Sequence, residues 1–284
     1  MCTRCERPLS ALSEASAWNP RRAFLLAAAG AALSAPALAQ VNVGNASVAR
    51  NLVPADQIEA AGVQQYGQLL QQARAKNALA GDGNAQLQRL RTIAQRLIPF
   101  ALPWNARARE WKWEVNLIGS KQINAFCMPG GKIAFFTGIL EQLKLSDDEV
   151  AMVMGHEMAH ALREHARARM AKSVGTGAAL SIGAQLLGLG QVGDLAARAG
   201  TQLITLKFSR SDETDADLVG LELAARAGYD PKASVSLWKK MATASKNQGG
   251  LSFLSTHPSG PDRIAKLEAN VPKVEKLYRD AKKG

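Results

Sequence analysis

Two histidines and a glutamate fall within a single turn of one predicted helix, as His156, Glu157 and His160. At about 100° per residue, the two histidines differ by only about 40° around the helix axis, so both imidazoles can reach one metal ion. Glu157 lies on the flank of that pair, where its carboxylate can hold a water without binding the metal itself. The chain has only four histidines, so this grouping is not expected by chance. The spacing predicts a zinc site of the HExxH type.

The residues before this pair predict where its helix begins. Ser146, with Glu149 three residues later, matches a capping box, and the acids between them favour the positive end of a helix. Apolar residues continue the pattern at helical spacing, at Val150, Met154, Met158 and Leu162. We therefore predict one helix that carries both histidines and buries an apolar stripe.

A catalytic zinc usually has three protein ligands, so the two histidines need a further partner. His165 follows His156 by nine residues, about 180° around an uninterrupted helix, and no glycine precedes it there to break the helix. We expect His165 at the surface or behind the ligands. Glu213 and Asp217 lie four residues apart on a second predicted helix, so one can bind zinc while the other accepts the N–H of a ligating histidine. The chemistry of these residues favours Glu213 as the zinc ligand and leaves the role of Asp217 open.

Two further acids lie in the same stretch. Asp212 and Asp215 are expected only to stabilise the N-terminal end of this second helix. Its apolar pattern runs on to Gly228, where the helix should end.

The rest of the chain predicts helices around a small sheet. Two helical stretches cover residues 54–98, and alternating or apolar segments at 111–117, 122–127 and 133–137 predict strands. The third of these is almost wholly apolar, so we expect it in the sheet interior. Everything after residue 138 has helical patterning. These features predict a helix-dominated α+β fold, with the sheet against the helix of the two histidines.

Four short blocks follow one another in a fixed order along the chain. They are Asn124-Ala125-Phe126 with Pro129-Gly130-Gly131, His156 to His160, Ser209-Arg210 with Glu213 and Ala216-Asp217, and Thr256-His257-Pro258 with Arg263-Ile264. Together they resemble the HtpX-like and CAAX-prenyl-protease-like zinc metallopeptidases, and within them the soluble, exported, BepA-like branch. The resemblance covers residues 60–270 or so. It implies a zincin-type (gluzincin) domain with a catalytic core at about 105–270 and no tetratricopeptide domain.

The resemblance also implies roles for individual residues. Glu213 becomes the third zinc ligand, and Asp217 an active-site acid, either a proton donor or the partner of a zinc-bound histidine. His257 resembles a histidine that can occupy the fourth zinc position and hold the enzyme latent, although it could instead stabilise the oxyanion. Arg263 is expected to support that loop or the oxyanion.

These residues predict a mechanism and a class of substrate. Glu157 is expected to be the catalytic base of one zinc ion. The substrate chain is expected to pair with Asn124, Ala125 and Phe126 as an added strand, which suits unfolded or misassembled envelope proteins. The alternative is a periplasmic chaperone or assembly factor with latent proteolytic activity.

The first 39 residues predict a signal peptide rather than part of the fold. Arg21 and Arg22 precede an apolar run at 23–33, and the small-residue pattern at 37–39 follows it. We expect export to the periplasm without a lipoprotein anchor, with cleavage before Gln40. The arginine pair also resembles a twin-arginine signal. The mature chain would be a single metallopeptidase domain, 40–284.

The net charge and one uncharged segment bear on which partners the protein can have. The net charge is +11, but the basic residues are scattered and no binding motif accompanies them, so nucleic acid is not a predicted partner. Residues 173–191 carry no charge and many glycines. We expect a lid or a partly buried helix there, with peripheral membrane contact as the alternative.

Overall fold

The computed structural model describes residues 41–174, 203, 206–247, 252–258 and 262–283. The predicted signal peptide, its cleavage site and nearly all of the uncharged segment lie outside these residues. By its internal contacts the chain separates into two units, and every described residue belongs to the second, Leu38–Gly284.

Helices dominate the described part of the chain, which confirms the predicted fold class. The helices are α1 (Ala55–Ala75), α2 (Ala85–Leu97), α3 (Thr137–Leu143), α4 (Asp147–Leu162), α5 (His165–Val174), α6 (Arg210–Arg226), α7 (Ala233–Asn247), α8 (Ser252–Thr256) and α9 (Arg263–Ala281). The strands are β1 (Glu114–Ile118), β2 (Ala125–Met128) and β3 (Lys132–Phe136). Short 3₁₀ helices occur at Val48–Leu52, Ile98–Phe100 and Ala106–Arg109. Among the described residues, no helix is both long enough and apolar enough to cross a bilayer.

The three strands form one sheet in the order β1-β3-β2. β3 is parallel to β1 and antiparallel to β2, so that Phe135 lies opposite both Leu117 and Ala125. All five residues of β3 are buried, which confirms the prediction that this strand is interior. β2 is therefore an edge strand of the sheet.

The first strand begins later than its alternating pattern predicts. Trp113 donates its backbone N–H to the carbonyl of Trp111 in a tight turn, with an N···O distance of 3.1 Å. The indole of Trp111 donates to Glu59 on α1 at 3.0 Å. The Trp111 side chain is thus held against α1, whereas the indole of Trp113 donates to the carbonyl of Ala108 at 3.3 Å. The strand β1 therefore starts at Glu114.

Alternate residues of β3 pack on opposite faces of the sheet, as the pleat requires. Ile133 and Phe135 join the main core, which also contains the buried side chains of α4. Ala134 and Phe136 join a smaller cluster with Tyr66 of α1. The sheet is therefore covered by α1 on one side and by α4 on the other.

Helix α4 begins as the sequence predicts. Ser146 and Glu149 form a complete capping box, which confirms that prediction. The predicted apolar stripe was too narrow, however, because every residue from Glu149 to Leu162 is buried. The cause is that α4 lies between the sheet and α6, and both of its sides are covered.

Helices α4 and α6 touch backbone to backbone at a pair of glycines. A Cβ atom added to Gly220 would lie 2.6 Å from the backbone nitrogen of His156, and one added to Gly155 would lie 2.8 Å from the carbonyl oxygen of Gly220. No side chain fits between the two helices at this point. The crossing therefore sets how closely the residues on either side of it can approach.

We predict that Gly220→Ala forces α4 and α6 apart and lowers the free energy of unfolding by about 1–3 kcal/mol, the usual cost of overpacking. Urea denaturation would measure the change. Gly67→Ala is the matched control, because it also lies within a helix but a Cβ there meets no atom within 4 Å. That control should be neutral or stabilising by about 0.5–1 kcal/mol. Equal effects of both substitutions would contradict the close crossing.

Candidate metal centre

Four buried side chains converge where α4, α6 and the end of α8 meet. They are His156, His160, Glu213 and His257, and each offers one ligand atom within 4.8 Å of all the others. His156 Nε2 is 3.1 Å from His160 Nε2 and 3.3 Å from His257 Nδ1. Glu213 Oε1 is 3.1 Å from His257 Nδ1 and 3.4 Å from His160 Nε2.

These distances fit a small tetrahedral cation. Zinc bonds of roughly 2.0–2.2 Å in a tetrahedron hold their ligand atoms about 3.3–3.6 Å apart. The four separations given above run from 3.1 to 3.4 Å, and all four ligand atoms lie within 4.8 Å of one another. The donor set of three imidazole nitrogens and one carboxylate oxygen also suits zinc. The cluster is therefore a candidate metal centre on both geometry and chemistry.

The far side of the His156 ring is fixed by a carboxylate. His156 Nδ1 is 3.0 Å from Asp217 Oδ1. Arg263 binds the same carboxylate in bidentate fashion, with Nε and Nη2 at 2.6 and 2.7 Å from its two oxygens. Because the Nδ1–H donates to Asp217, the Nε2 atom is left facing the cluster. Of the two roles considered for Asp217, this geometry favours the partner of a ligating histidine.

Arg263 contacts the acids of the centre rather than an oxyanion position. Besides Asp217, it donates through Nη1 to Glu213 Oε2 at 2.9 Å. Its guanidinium lies 3.3 Å over the ring of Trp238. These contacts place a cation beside two buried carboxylates, which need one there; support of the loop or of the oxyanion by Arg263 stays a prediction.

The surroundings favour the charged forms of Glu213 and Asp217 and the neutral form of His160. At His257, by contrast, burial is outweighed by the carboxylates of Glu157 and Glu213, which raise its pKa. Burial alone would raise the pKa of Glu213, but its close contacts with the rings of His160 and His257 outweigh that effect and hold the pKa well below its usual range. Burial would also raise the pKa of Asp217, but the charge of Arg263 outweighs burial, and the pKa is lowered. Burial lowers the pKa of His160 well below its usual value. Two carboxylates and a neutral imidazole are the forms that metal binding requires.

Glu157 differs from Glu213 and Asp217 because one of its carboxylate oxygens has no hydrogen-bond partner. The residue is buried, and its Oε1 has no hydrogen-bond partner within the described part of the chain. The same atom is 3.6 Å from His257 Nε2. Burial raises the pKa of Glu157, while His257 and His156 oppose the shift. An unpaired carboxylate with a raised pKa beside a metal centre is suited to accept a proton from a water.

His165 lies behind the ligands, the second of the two predicted positions, although the helix that carries His160 does not continue as far as His165. Helix α4 ends at Leu162, and Glu164 adopts a left-handed conformation with φ of 57° although it is not glycine. Helix α5 then starts in a new direction at His165. As a result His165 is buried, and its Nδ1 is 3.0 Å from His160 Nδ1. It therefore lies behind a candidate ligand and not at the surface.

The two acids expected to decorate the start of α6 have different roles. Asp212 completes a capping box with Ser209, as expected of a helix N-terminus. Asp215 instead accepts hydrogen bonds from Arg163 Nε at 2.8 Å and from His165 Nε2 at 3.2 Å. This role could not be predicted from the sequence, because one donor lies in the turn after α4 and the other is the first residue of α5.

The predicted substrate strand lies at the sheet edge, next to α4. Ala125 and Phe126 belong to β2, and the Asn124 carbonyl accepts the N–H of Phe136 just before that strand. The preceding carbonyl, of Ile123, accepts the backbone N–H of Phe253 at 3.1 Å. This part of the edge is therefore covered by α8, which leads directly to His257.

Sequence reasoning also missed the contacts of the aromatic residues with the histidines. Phe208 stacks on His160 with ring centroids 3.9 Å apart, and Phe253 stacks on His257 at 4.4 Å. Single aromatic residues carry no spacing signal that could reveal such contacts. The glycines of the helix crossing did carry one, because a glycine inside a helical pattern usually marks close packing.

A metal-binding helix packed against a small sheet, with a carboxylate supplied by a second helix, defines a zincin-type metallopeptidase fold. The chain belongs to peptidase family M48, whose sequence model matches residues 84–271. This confirms the resemblance drawn from the four blocks.

Individual relatives support the same assignment. The chain is 38% identical over 166 residues to the mitochondrial metalloendopeptidase OMA1 of Schizosaccharomyces pombe. This aligned region covers 58% of this chain and 48% of that protein. It is 28% identical over 202 residues to the metalloprotease LoiP of Escherichia coli, 69% of this chain and 75% of that protein. The beta-barrel assembly-enhancing protease of Yersinia pestis is 28% identical over 190 residues, 63% of this chain and 37% of that protein. The chain thus spans about half the length of the mitochondrial relative.

We predict that Arg263→Leu lowers the free energy of unfolding of the metal-free protein by about 3–5 kcal/mol, because it leaves the carboxylates of Glu213 and Asp217 buried without a cation. Urea denaturation in the presence of a chelator would measure it. Lys266→Ala is the control, since this exposed residue lies on the same helix and should change stability by no more than about 0.5 kcal/mol. A loss no greater than that of the control would contradict the role given to Arg263.

Proposed function

We propose that this protein is a zinc-dependent endopeptidase. The observation that carries the proposal is the buried ligand cluster with the unpaired carboxylate of Glu157 beside it. In this proposal His156, His160 and Glu213 hold the zinc, and Glu157 is the general base. Membership of family M48 supports the assignment.

The reaction divides between the metal and the side chains around it. When bound, zinc acts as a Lewis acid that lowers the pKa of a water and polarises the peptide carbonyl. Glu157 takes a proton from the attacking water and passes it to the leaving nitrogen of the cleaved bond. Asp217 accepts the Nδ1–H of His156 throughout, so that this ring keeps its orientation.

The substrate is proposed to be an extended polypeptide. A chain that pairs with the edge at Asn124, Ala125 and Phe126 would be held by its backbone, and backbone pairing tolerates many sequences. This favours unfolded or misassembled proteins over one cognate peptide. The predicted signal peptide and the likeness to the beta-barrel assembly-enhancing protease support a place in the periplasm and a role in envelope protein quality control.

A second candidate function is a chaperone or assembly factor whose proteolysis is latent. It is favoured by one segment of the described chain, which fills two positions at once. His257 supplies a fourth atom to the cluster, and Phe253 of the same segment binds the carbonyl of Ile123 at the strand edge. With both the metal and the edge covered, a substrate could enter only after this segment moves.

We predict that Glu157→Gln lowers casein degradation by about 10²–10⁴-fold while zinc content stays near one per chain, because glutamine cannot accept the proton. Activity assays and elemental analysis on the same sample would test this. Glu141→Gln changes an exposed glutamate on α3 and is the control. Full activity of the Glu157 variant with its zinc retained would rule the mechanism out.

We predict that His257→Ala increases casein degradation if this imidazole blocks the metal. Zinc content should be unchanged, because His156, His160 and Glu213 remain. The double variant with Glu157→Gln should be inactive, which would show that the gained activity arises at this site. A fall in activity at constant zinc content would instead indicate that His257 takes part in turnover.

A further inference from the structure

A continuous set of hydrogen bonds lies behind His160, on the side away from the ligand cluster. His160 Nδ1 is 3.0 Å from His165 Nδ1, and His165 Nε2 is 3.2 Å from Asp215 Oδ2. The same carboxylate oxygen accepts Arg163 Nε at 2.8 Å. We refer to His165, Asp215 and Arg163 as the His160 support.

The direction of each hydrogen bond follows from which nitrogen faces the cluster. His160 Nε2 is the atom that faces Glu213 and His156. For that nitrogen to offer a lone pair to a metal, the proton of the neutral ring must lie on Nδ1. His160 Nδ1 then donates to His165, and His165 donates through Nε2 to Asp215. Every donor in the set meets an acceptor.

The His160 support resembles the arrangement on the other metal-binding histidine. There, His156 Nδ1 donates to Asp217, and Arg263 binds that carboxylate. Both histidines of α4 are thus backed by a carboxylate and an arginine. The difference is that His165 is inserted between His160 and its carboxylate.

A strained backbone conformation is needed to bring the His160 support together. The left-handed Glu164 separates α4 from α5 and turns His165 inward, and such a conformation costs a residue other than glycine roughly 1–2 kcal/mol. The turn is held by ion pairs from Glu164 to Arg50 at 3.1 Å and to Arg167 at 2.7 Å.

The N-terminal arm, residues 41–53, holds the outer end of the His160 support. Arg163 Nη2 donates to the carbonyl of Gly44 at 2.9 Å. The arm is anchored on α6 by the backbone N–H of Val41, which donates to the buried carboxylate of Glu222 at 2.9 Å. Arg163 therefore has restrained partners on both sides of its guanidinium.

We propose that His165 and Asp215 are positioning residues that hold His160 in the orientation and tautomer needed to bind the metal. The inference rests on the proposed zinc site but is separate from the chemistry of Glu157. Partners of this kind change metal affinity by about 10–100-fold when they are removed.

The test measures zinc affinity of the full chain by competition with a chromophoric chelator. His165→Phe keeps an aromatic ring in the same buried space and removes both hydrogen bonds. Asp215→Ala removes the acceptor, whereas Asp215→Asn keeps an oxygen that can accept from His165. We expect zinc binding to weaken by about 10–100-fold in the first two variants and by less in the third. The double variant of the first two should be no weaker than either one, because they act in series.

Glu59→Gln is the matched control for a purely structural effect. Glu59 binds Arg107 through both oxygens at 2.7 Å and also accepts from Trp111, away from the cluster. Its loss should lower the melting temperature and leave zinc affinity unchanged.

The outcomes separate this inference from the proposed function. If the unaltered protein binds zinc tightly and the variants at His165 and Asp215 bind it equally well, the positioning role is wrong and the zinc site stands. If zinc affinity falls in step with the melting temperature in every variant, Glu59→Gln included, then the role of His165 and Asp215 is structural and the inference is wrong. If the unaltered protein binds no zinc, both proposals fail together.

Discussion

The backbone contact of α4 and α6 at Gly155 and Gly220 determines where the ligands of the centre can meet. A Cβ on Gly220 would meet the backbone nitrogen of His156, the first histidine of the cluster. The carboxylates of Glu213 and Asp217 extend from α6, and the imidazoles of His156 and His160 extend from α4. Carboxylate and imidazole side chains reach only a few ångströms, so helices held apart by ordinary side chains could not bring these atoms to 3.0–3.5 Å.

The cost of burying so many polar groups is offset by arginines on the periphery. Asp217 and Glu213 are paired with Arg263, and Asp215 with Arg163. Breaking a buried pair by removing one partner is costly, whereas an intact pair is close to neutral in stability. Arg263 thus favours the ionised form of Asp217, and both arginines fix their carboxylates in position. The sheet and α1 supply the apolar core that stabilises the fold.

The parts of the centre that depend on local spacing could be predicted from the sequence. His156, Glu157 and His160 share one helical turn, and Glu213 and Asp217 share another, so each set needs only the geometry of a helix. The contact of His165 with His160 could not be predicted, because it depends on the left-handed Glu164, whose carboxylate is bound by the distant Arg50. For the same reason β1 begins later than its pattern, since Trp111 before it is held by Glu59 of α1. Tertiary contacts override local preference in both cases.

All four histidines of the chain lie in or against the candidate metal centre, as His156, His160, His165 and His257. Each imidazole signal in a nuclear magnetic resonance spectrum of this sequence would therefore come from the site, with no background from histidines elsewhere. Nitrogen chemical shifts distinguish the two tautomers of a neutral imidazole from the imidazolium form. The protein thus contains its own complete set of spectroscopic reporters on the centre, and they require no label beyond isotopic nitrogen.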